Sequence, residues 1–159
     1  MAELKYLMIH CTDTPEGRPI SSDDIRKWHL EERGWKRVGY SDMIHLDGAL
    51  ENLHPFDQNN FIDGYEITNG ARGFNGCTRH VVYVGGRRGS KSYDTRTDEQ
   101  WEALETYVRY MILRHPQIQV MGHTDVNPDK ACPSFDVGYW LTSICIDPKN
   151  IYKKTEHYV

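Results

Sequence analysis

The sequence predicts an α/β fold, a single domain with a mixed central β-sheet flanked by helices. Three observations carry this. Short apolar or alternating runs fit for strands recur at "KYLMIH" (residues 5–10), "VGYSDMIHL" (38–46), "HVVYVGG" (80–86) and "IQVMGH" (118–123). Helical patterns lie between them, the longest over residues 98–114. Finally, 159 residues, 38% hydrophobic and 26% charged, suit one globular domain with a real core. Alternating strands and helices build layered α/β sheets.

Taken in order, the first run is a buried strand whose end delivers His10. Ser21 and Ser22 offer an N-cap, Asp24 stands at capping-box spacing from Ser21, and Gly34 stops the helix. Ile25, Trp28 and His29 share one face of it. Val38, Tyr40, Ile44 and Leu46 then alternate onto one face, and Asp47-Gly48 signals a hairpin turn. Residues 51–76 are rich in Gly, Asn and Asp and read as loop, with one short strand near 61–67. The 98–114 helix has Thr97 as cap, Gln100 completing a capping box, and a stripe of Trp101, Leu104, Val108 and Met111 closed by Pro116. Ile118 and Val120 face one way in the last strand, which delivers His123; a short helix follows near 136–143. The domain core is expected over about 5–145, with 146–159 a peripheral tail.

Bulk properties exclude several classes. The net charge of −4 gives no reason to expect nucleic-acid binding. No apolar run approaches a membrane span, so no membrane association is expected. The start "MAELKYLMIHC" lacks the basic n-region and cleavage site of a secretory signal, which predicts a cytoplasmic protein. Cys11, Cys77, Cys132 and Cys145 are too sparse for a disulfide scaffold and are expected as buried free thiols.

Chemistry concentrates in "GHTDVNPDKACPSF" (122–135), a loop by its prolines and its Asn-Pro step. If the strands ending at His10 and His123 run parallel and adjacent, both imidazoles emerge at one sheet edge, where open α/β sheets place their sites. His10, His123 and Cys132 would then form a set of the kind that holds catalytic zinc, three protein ligands with one position left over. Structural histidines and a buried thiol are the other reading of the same residues. Asp125 and Asp129 are alternative ligands, although in such a loop aspartates more often form turns. The remaining histidines, His29, His45, His54, His80, His115 and His157, read as ordinary surface or core residues.

Four stretches together resemble a known family: "IHCTDT" (9–14), "IRKWHLEERGWKRVGYSDMIHLDG" (25–48), "NGARGFNGCTRHVVYVGG" (69–86) and "GHTDVNPDKACPSFD" (122–136). The chain is similar to the zinc-dependent N-acetylmuramoyl-L-alanine amidases of the phage T7 lysozyme type, relatives of the peptidoglycan recognition proteins. The resemblance implies one Zn²⁺ per chain on His10, His123 and Cys132, with Tyr40 and Lys130 as catalytic helpers. It implies hydrolysis of the amide between N-acetylmuramic acid and L-alanine in bacterial peptidoglycan, by a monomer that acts on the wall after release from the cytoplasm. Arg72, His29 and Trp35 are candidates for substrate contact, with core packing the competing reading for the last two. The chain departs from the family at Ser41, Asp42 and Arg72, positions expected to face the substrate groove, and its last loop is one residue longer at "NPDK". Two rivals stand beside this reading. A non-catalytic peptidoglycan-binding module typically lacks the metal cysteine, which is present here. A metal-free hydrolase with Cys132 as nucleophile and His123 as base leaves His10 without a role.

Overall fold

The computed structural model describes residues 1–154. Its centre is a five-stranded sheet: β1 (Tyr6–Cys11), β2 (Asp42–Ile44), β3 (Leu50–Asn52), β4 (Thr78–Tyr83) and β5 (Gln119–Gly122). The spatial order is β5-β1-β4-β2-β3. The first four of that order run parallel, and β3 closes the edge antiparallel through the turn at Asp47-Gly48. The sheet is therefore mixed, as expected.

Every residue of β4 is buried, because helices and loops cover both faces. Leu7, Ile9, Val81 and Tyr83 pack beneath α2 (Asp98–Arg114) and α3 (Val137–Ser143), with Leu104, Val108, Met111 and Leu141. On the opposite face Met43, Val82 and Val84 pack against Ile25 of α1 (Ser22–Arg26). Both capping boxes form. Ser21 accepts from the Asp24 amide, and Thr97 from the Gln100 amide. After α1 the chain continues in wider π-helical turns over Lys27–Glu32 and stops before Gly34, at φ 68°.

Several details correct the sequence reading. The strand expected across 38–46 is ordered as a strand only over Asp42–Ile44. Its alternation does not run through: Val38, Tyr40 and Leu46 join Met43 on the α1 face, whereas Ile44 packs on the α2 face. Trp101 stays partly exposed, with the Arg96 guanidinium stacked 3.6 Å from its ring centroid, and Tyr107 takes its place in the buried stripe. Near 61–67 only Phe61–Ile62 is strand; Gly64–Glu66 is a 3₁₀ turn. Cys145 is exposed.

The tail is peripheral only in part. Asn150 is buried and donates to the carbonyls of Pro116 and Ile118, and Ile151 bridges to Val120 of β5. Those two carbonyls precede the edge strand and need donors, which the tail supplies. Residues 155–159, His157 included, lie outside the described residues. No helix among the described residues is long and apolar enough to cross a membrane.

Candidate metal centre and active site

The parallel pairing of β1 with β5 sets Gly122 opposite Ile9. The next residues, His10 and His123, therefore leave the same sheet edge side by side, with ring centroids 4.9 Å apart. The loop after His123 returns Cys132 to them. Its path is fixed by the Thr124 amide donating to the Cys132 carbonyl (2.9 Å), the Lys130 amide donating to Asn127 (3.0 Å), and the Tyr83 hydroxyl donating to the Pro133 carbonyl (2.7 Å). Gly122 makes the return possible. A Cβ there would meet Pro133 at 2.8 Å and Val137 at 2.9 Å. Asp125 accepts from the Gly122 amide (2.8 Å), the turn-forming role expected of it.

The result is a cluster in which one donor atom each from His10, His123 and Cys132 lies within 4.8 Å of the others. Cys132 Sγ stands 3.6 Å from His10 Nδ1 and accepts from the Cys11 amide at 3.3 Å. His10 is fully buried. Burial, then the neighbouring His80 and His123 rings, hold its pKa well below the ordinary histidine value. Burial and then Lys130 lower that of His123. Both rings are therefore neutral, the state in which imidazole ligates metal. A hydrogen bond with Cys11, then burial, pushes the Cys132 thiol pKa up, whereas a bound cation would favour the thiolate.

The cluster lies in a cavity of about 300 Å³ that opens to solvent. Tyr40, Lys130, His29 and Trp35 all line it. Tyr40 packs on His10, ring centroids 5.2 Å apart, and desolvation pushes its phenol far above the ordinary range. His29 stacks on Trp35 at 4.8 Å and accepts from the Gly39 amide (2.9 Å), so it buttresses Tyr40 from behind. Burial lowers the pKa of His29 to about 4, with Arg33 adding to the effect. Lys130 and Asp129 sit exposed on the rim.

Three residues expected at the groove do not line this cavity. Arg72 is exposed and is not among the residues lining the cavity. Ser41 is buried, its hydroxyl against Thr68. Asp42 points through the sheet to pair with Arg79 and Tyr107 under α2. Sequence reasoning in turn missed His80, whose Nδ1 lies 2.9 Å from His10 Nε2, and Asn75, whose Oδ1 lies 3.1 Å from His80 Nε2. A "GFNGCTRH" stretch carries no local sign of either contact.

Asp57, Asp63 and Glu66 form a second cluster of possible ligands. Its buried member, Glu66, spends its two oxygens on the amides of Asp57 (2.8 Å) and Asp63 (2.7 Å) and so staples a loop.

A mixed α/β sheet with a His-His-Cys cluster at the end of its parallel strands defines a hydrolase with a possible metal site. Comparison with known proteins gives the family: the N-acetylmuramoyl-L-alanine amidase profile matches residues 1–135, and the chain belongs to that family. It is thus an amidase that hydrolyses peptidoglycan. The endolysin of Enterobacteria phage K11 is 31% identical over 140 residues, covering 87% of this chain and 86% of that one. The endolysin of Escherichia phage T7 is 30% identical over 135 residues, covering 84% and 83%. Among solved structures, the endolysin of Thermus scotoductus bacteriophage Ph2119 shares the fold, with TM-score 0.68 at 21% identity over 96% of this chain and 87% of that one.

Proposed function

We propose that this chain is a zinc-dependent amidase of the phage endolysin type, cutting the bond between the lactyl group of N-acetylmuramic acid and L-alanine. One observation carries the metal reading: donors from residues 10, 123 and 132 converge within 4.8 Å at the base of an open cavity. The donor set fits the ion. Two imidazole nitrogens and one thiolate suit zinc, and tetrahedral bonds of ordinary length separate such ligands by about 3.3–3.6 Å. The 3.6 Å between Cys132 Sγ and His10 Nδ1 agrees with that span. Zinc held there would polarise the scissile carbonyl and acidify solvent at the remaining position.

The chain's own side chains account for the rest. Net hydrolysis adds water across the amide, its oxygen to the lactyl carbonyl carbon and a proton to the alanine nitrogen. Lys130, at the rim, offsets negative charge growing on the carbonyl oxygen. Tyr40, kept protonated by desolvation, presents its O–H as a donor to the leaving nitrogen. Trp35 supplies an apolar wall for the glycan or peptide. The enzyme acts as a monomer on the wall after release from the cytoplasm.

The test is metal analysis of purified protein together with dye release from labelled cell walls, with and without chelator. About one zinc per chain and chelator-sensitive release are expected. Release that survives chelation but stops on thiol alkylation would replace this reading with a cysteine hydrolase. Wall binding without release would replace it with a recognition module.

A further inference from the structure

We propose that His80 is a positioning residue that fixes the tautomer of His10, so that the Nδ1 lone pair of His10 faces Cys132. The inference rests on the metal reading above and extends it to a residue outside the ligand set.

The argument runs inward from the backbone. The Ala71 amide donates to Asn75 Oδ1 at 2.8 Å, which fixes the carbonyl end of the Asn75 side chain. That same oxygen lies 3.1 Å from His80 Nε2. A carbonyl oxygen only accepts, so Nε2 of His80 carries a proton. His80 has no solvent exposure, and among the described residues its two ring nitrogens meet only His10 and Asn75, neither a counterion, so the ring stays neutral and its Nδ1 bare. The bare Nδ1 faces His10 Nε2 at 2.9 Å, so His10 carries its proton there. The remaining nitrogen of His10 is Nδ1, the atom 3.6 Å from Cys132 Sγ. One backbone amide thus determines, through two side chains, which nitrogen the first strand offers to a metal. Ligand histidines ordinarily have their other N–H held by a carboxylate, carbonyl or water. Here a second imidazole takes that part.

The fold makes room for it. His80 stands opposite Met8 in the β1–β4 register, a diagonal neighbour of His10 on the same face. Gly70 lies against the ring: a Cβ there would come within 2.4 Å of His80 Nδ1. A side chain at 70 and the His80 ring therefore compete for one space.

Two measurements test the proposal. Long-range ¹H–¹⁵N correlation on metal-stripped wild-type protein reads the tautomer directly. A protonated Nε2 and a bare Nδ1 on His10 are expected; the opposite tautomer overturns the proposal, and no variant or metal is needed to see it. Zinc affinity by competition with a chromophoric chelator is the second. His80→Phe, which fills the space without an acceptor, is expected to weaken binding about 10–100-fold. Gly70→Val, which displaces the ring, should weaken it similarly. His80→Asn, whose carbonyl oxygen can replace Nδ1, should recover most of the loss. Equal affinity in wild type and His80→Phe overturns the proposal. Failure of wild type to bind zinc would instead overturn the metal reading, with the tautomer measurement still deciding what His80 does to His10.

Discussion

Arg79 and His80 are neighbours on β4, yet they face opposite sides of the sheet and build two polar clusters of different character. Beneath α2, Arg79 pairs with Asp42 at 3.0 Å, Asp42 also accepts from Tyr107 (2.5 Å) and Asn52 (2.9 Å), and the guanidinium lies 4.1 Å from the Phe56 ring centroid. The charges there are matched and the carboxylate is saturated by donors, while Arg79 Nε and Nη1 keep no hydrogen-bond partner among the described residues and a cavity of about 290 Å³ lies alongside. On the other face, His10, His80 and His123 are neutral rings beside a thiol; His80 spends both nitrogens on His10 and Asn75, and the lone pairs of His10 and His123 are left beside a cavity. Both clusters lie deep in the protein. What separates structure from chemistry is the kind of group left over: under α2 a buried cation already paired with its carboxylate, on the other face lone pairs able to bind a metal.

Substitutions on each side should therefore fail differently. Cys132→Ser is expected to have the largest effect on activity, a loss of at least about 10³-fold in wall hydrolysis with loss of bound zinc. Urea unfolding of the metal-free proteins should differ little. Asp42→Asn should do the reverse. It leaves the Arg79 charge buried without its counterion, at a cost of about 3–5 kcal/mol in unfolding free energy. Zinc stoichiometry and turnover per folded molecule should stay near wild type. A Cys132→Ser protein that unfolds as easily as Asp42→Asn would erase the distinction between the two faces. Within the chemical face, Tyr40→Phe should lower turnover about 100-fold while leaving zinc affinity unchanged, as measured by dye release and chelator competition.

The legible parts of the molecule were those written in local spacing. Thr97 with Gln100, Ser21 with Asp24, and Asp47-Gly48 each announce a helix start or a turn from residues within a few positions, and each is found where expected. His10 and His123 were legible as strand ends, and parallel pairing was the one added assumption. Harder to read were contacts that depend on register or on a change of direction. The chain enters β2 through Gly39, Tyr40 and Ser41 without strand pairing, so the alternation counted across 38–46 puts Ile44 on the wrong face. Asp42 then looks like a groove residue by its place in the chain, although its partners Arg79 and Tyr107 lie 37 and 65 positions away. His80 is 70 positions from His10 and becomes its neighbour only once β1 and β4 are aligned. Asn150 supplies donors to carbonyls 32 and 34 residues earlier, a need no local pattern at the C-terminus reveals.

A smaller effect sharpens the comparison through pH. His29 is buried and accepts from the Gly39 amide, and its pKa falls to about 4 in the folded chain. In the unfolded chain it titrates near 6.5. Between these values the unfolded state binds more protons, so stability is full above about pH 6.5 and falls as the pH drops toward 4, with a slope of at most about 1.4 kcal/mol per pH unit from this ring. His29→Asn offers a carbonyl oxygen to the Gly39 amide but does not titrate. Denaturant melts at pH 7, 5.5 and 4.5 should show a shallower loss for that variant than for wild type. Identical slopes would mean that His29 is protonated as easily in the folded chain as in the unfolded one.

Arg72 sets the lower limit. It lies within the stretch that resembles the amidase family, yet it is exposed and lines no part of the cavity around His10, His123 and Cys132. Arg72→Ala should change neither zinc affinity nor unfolding free energy beyond about 0.5 kcal/mol, the ordinary range for a surface substitution. Wall hydrolysis should stay within about twofold, since a solvated surface cation outside the cavity gives up only weak, screened attraction. A tenfold fall in hydrolysis at unchanged zinc affinity would show that the glycan or peptide extends past the cavity to this turn. The functional surface would then be wider than the donors at its centre suggest.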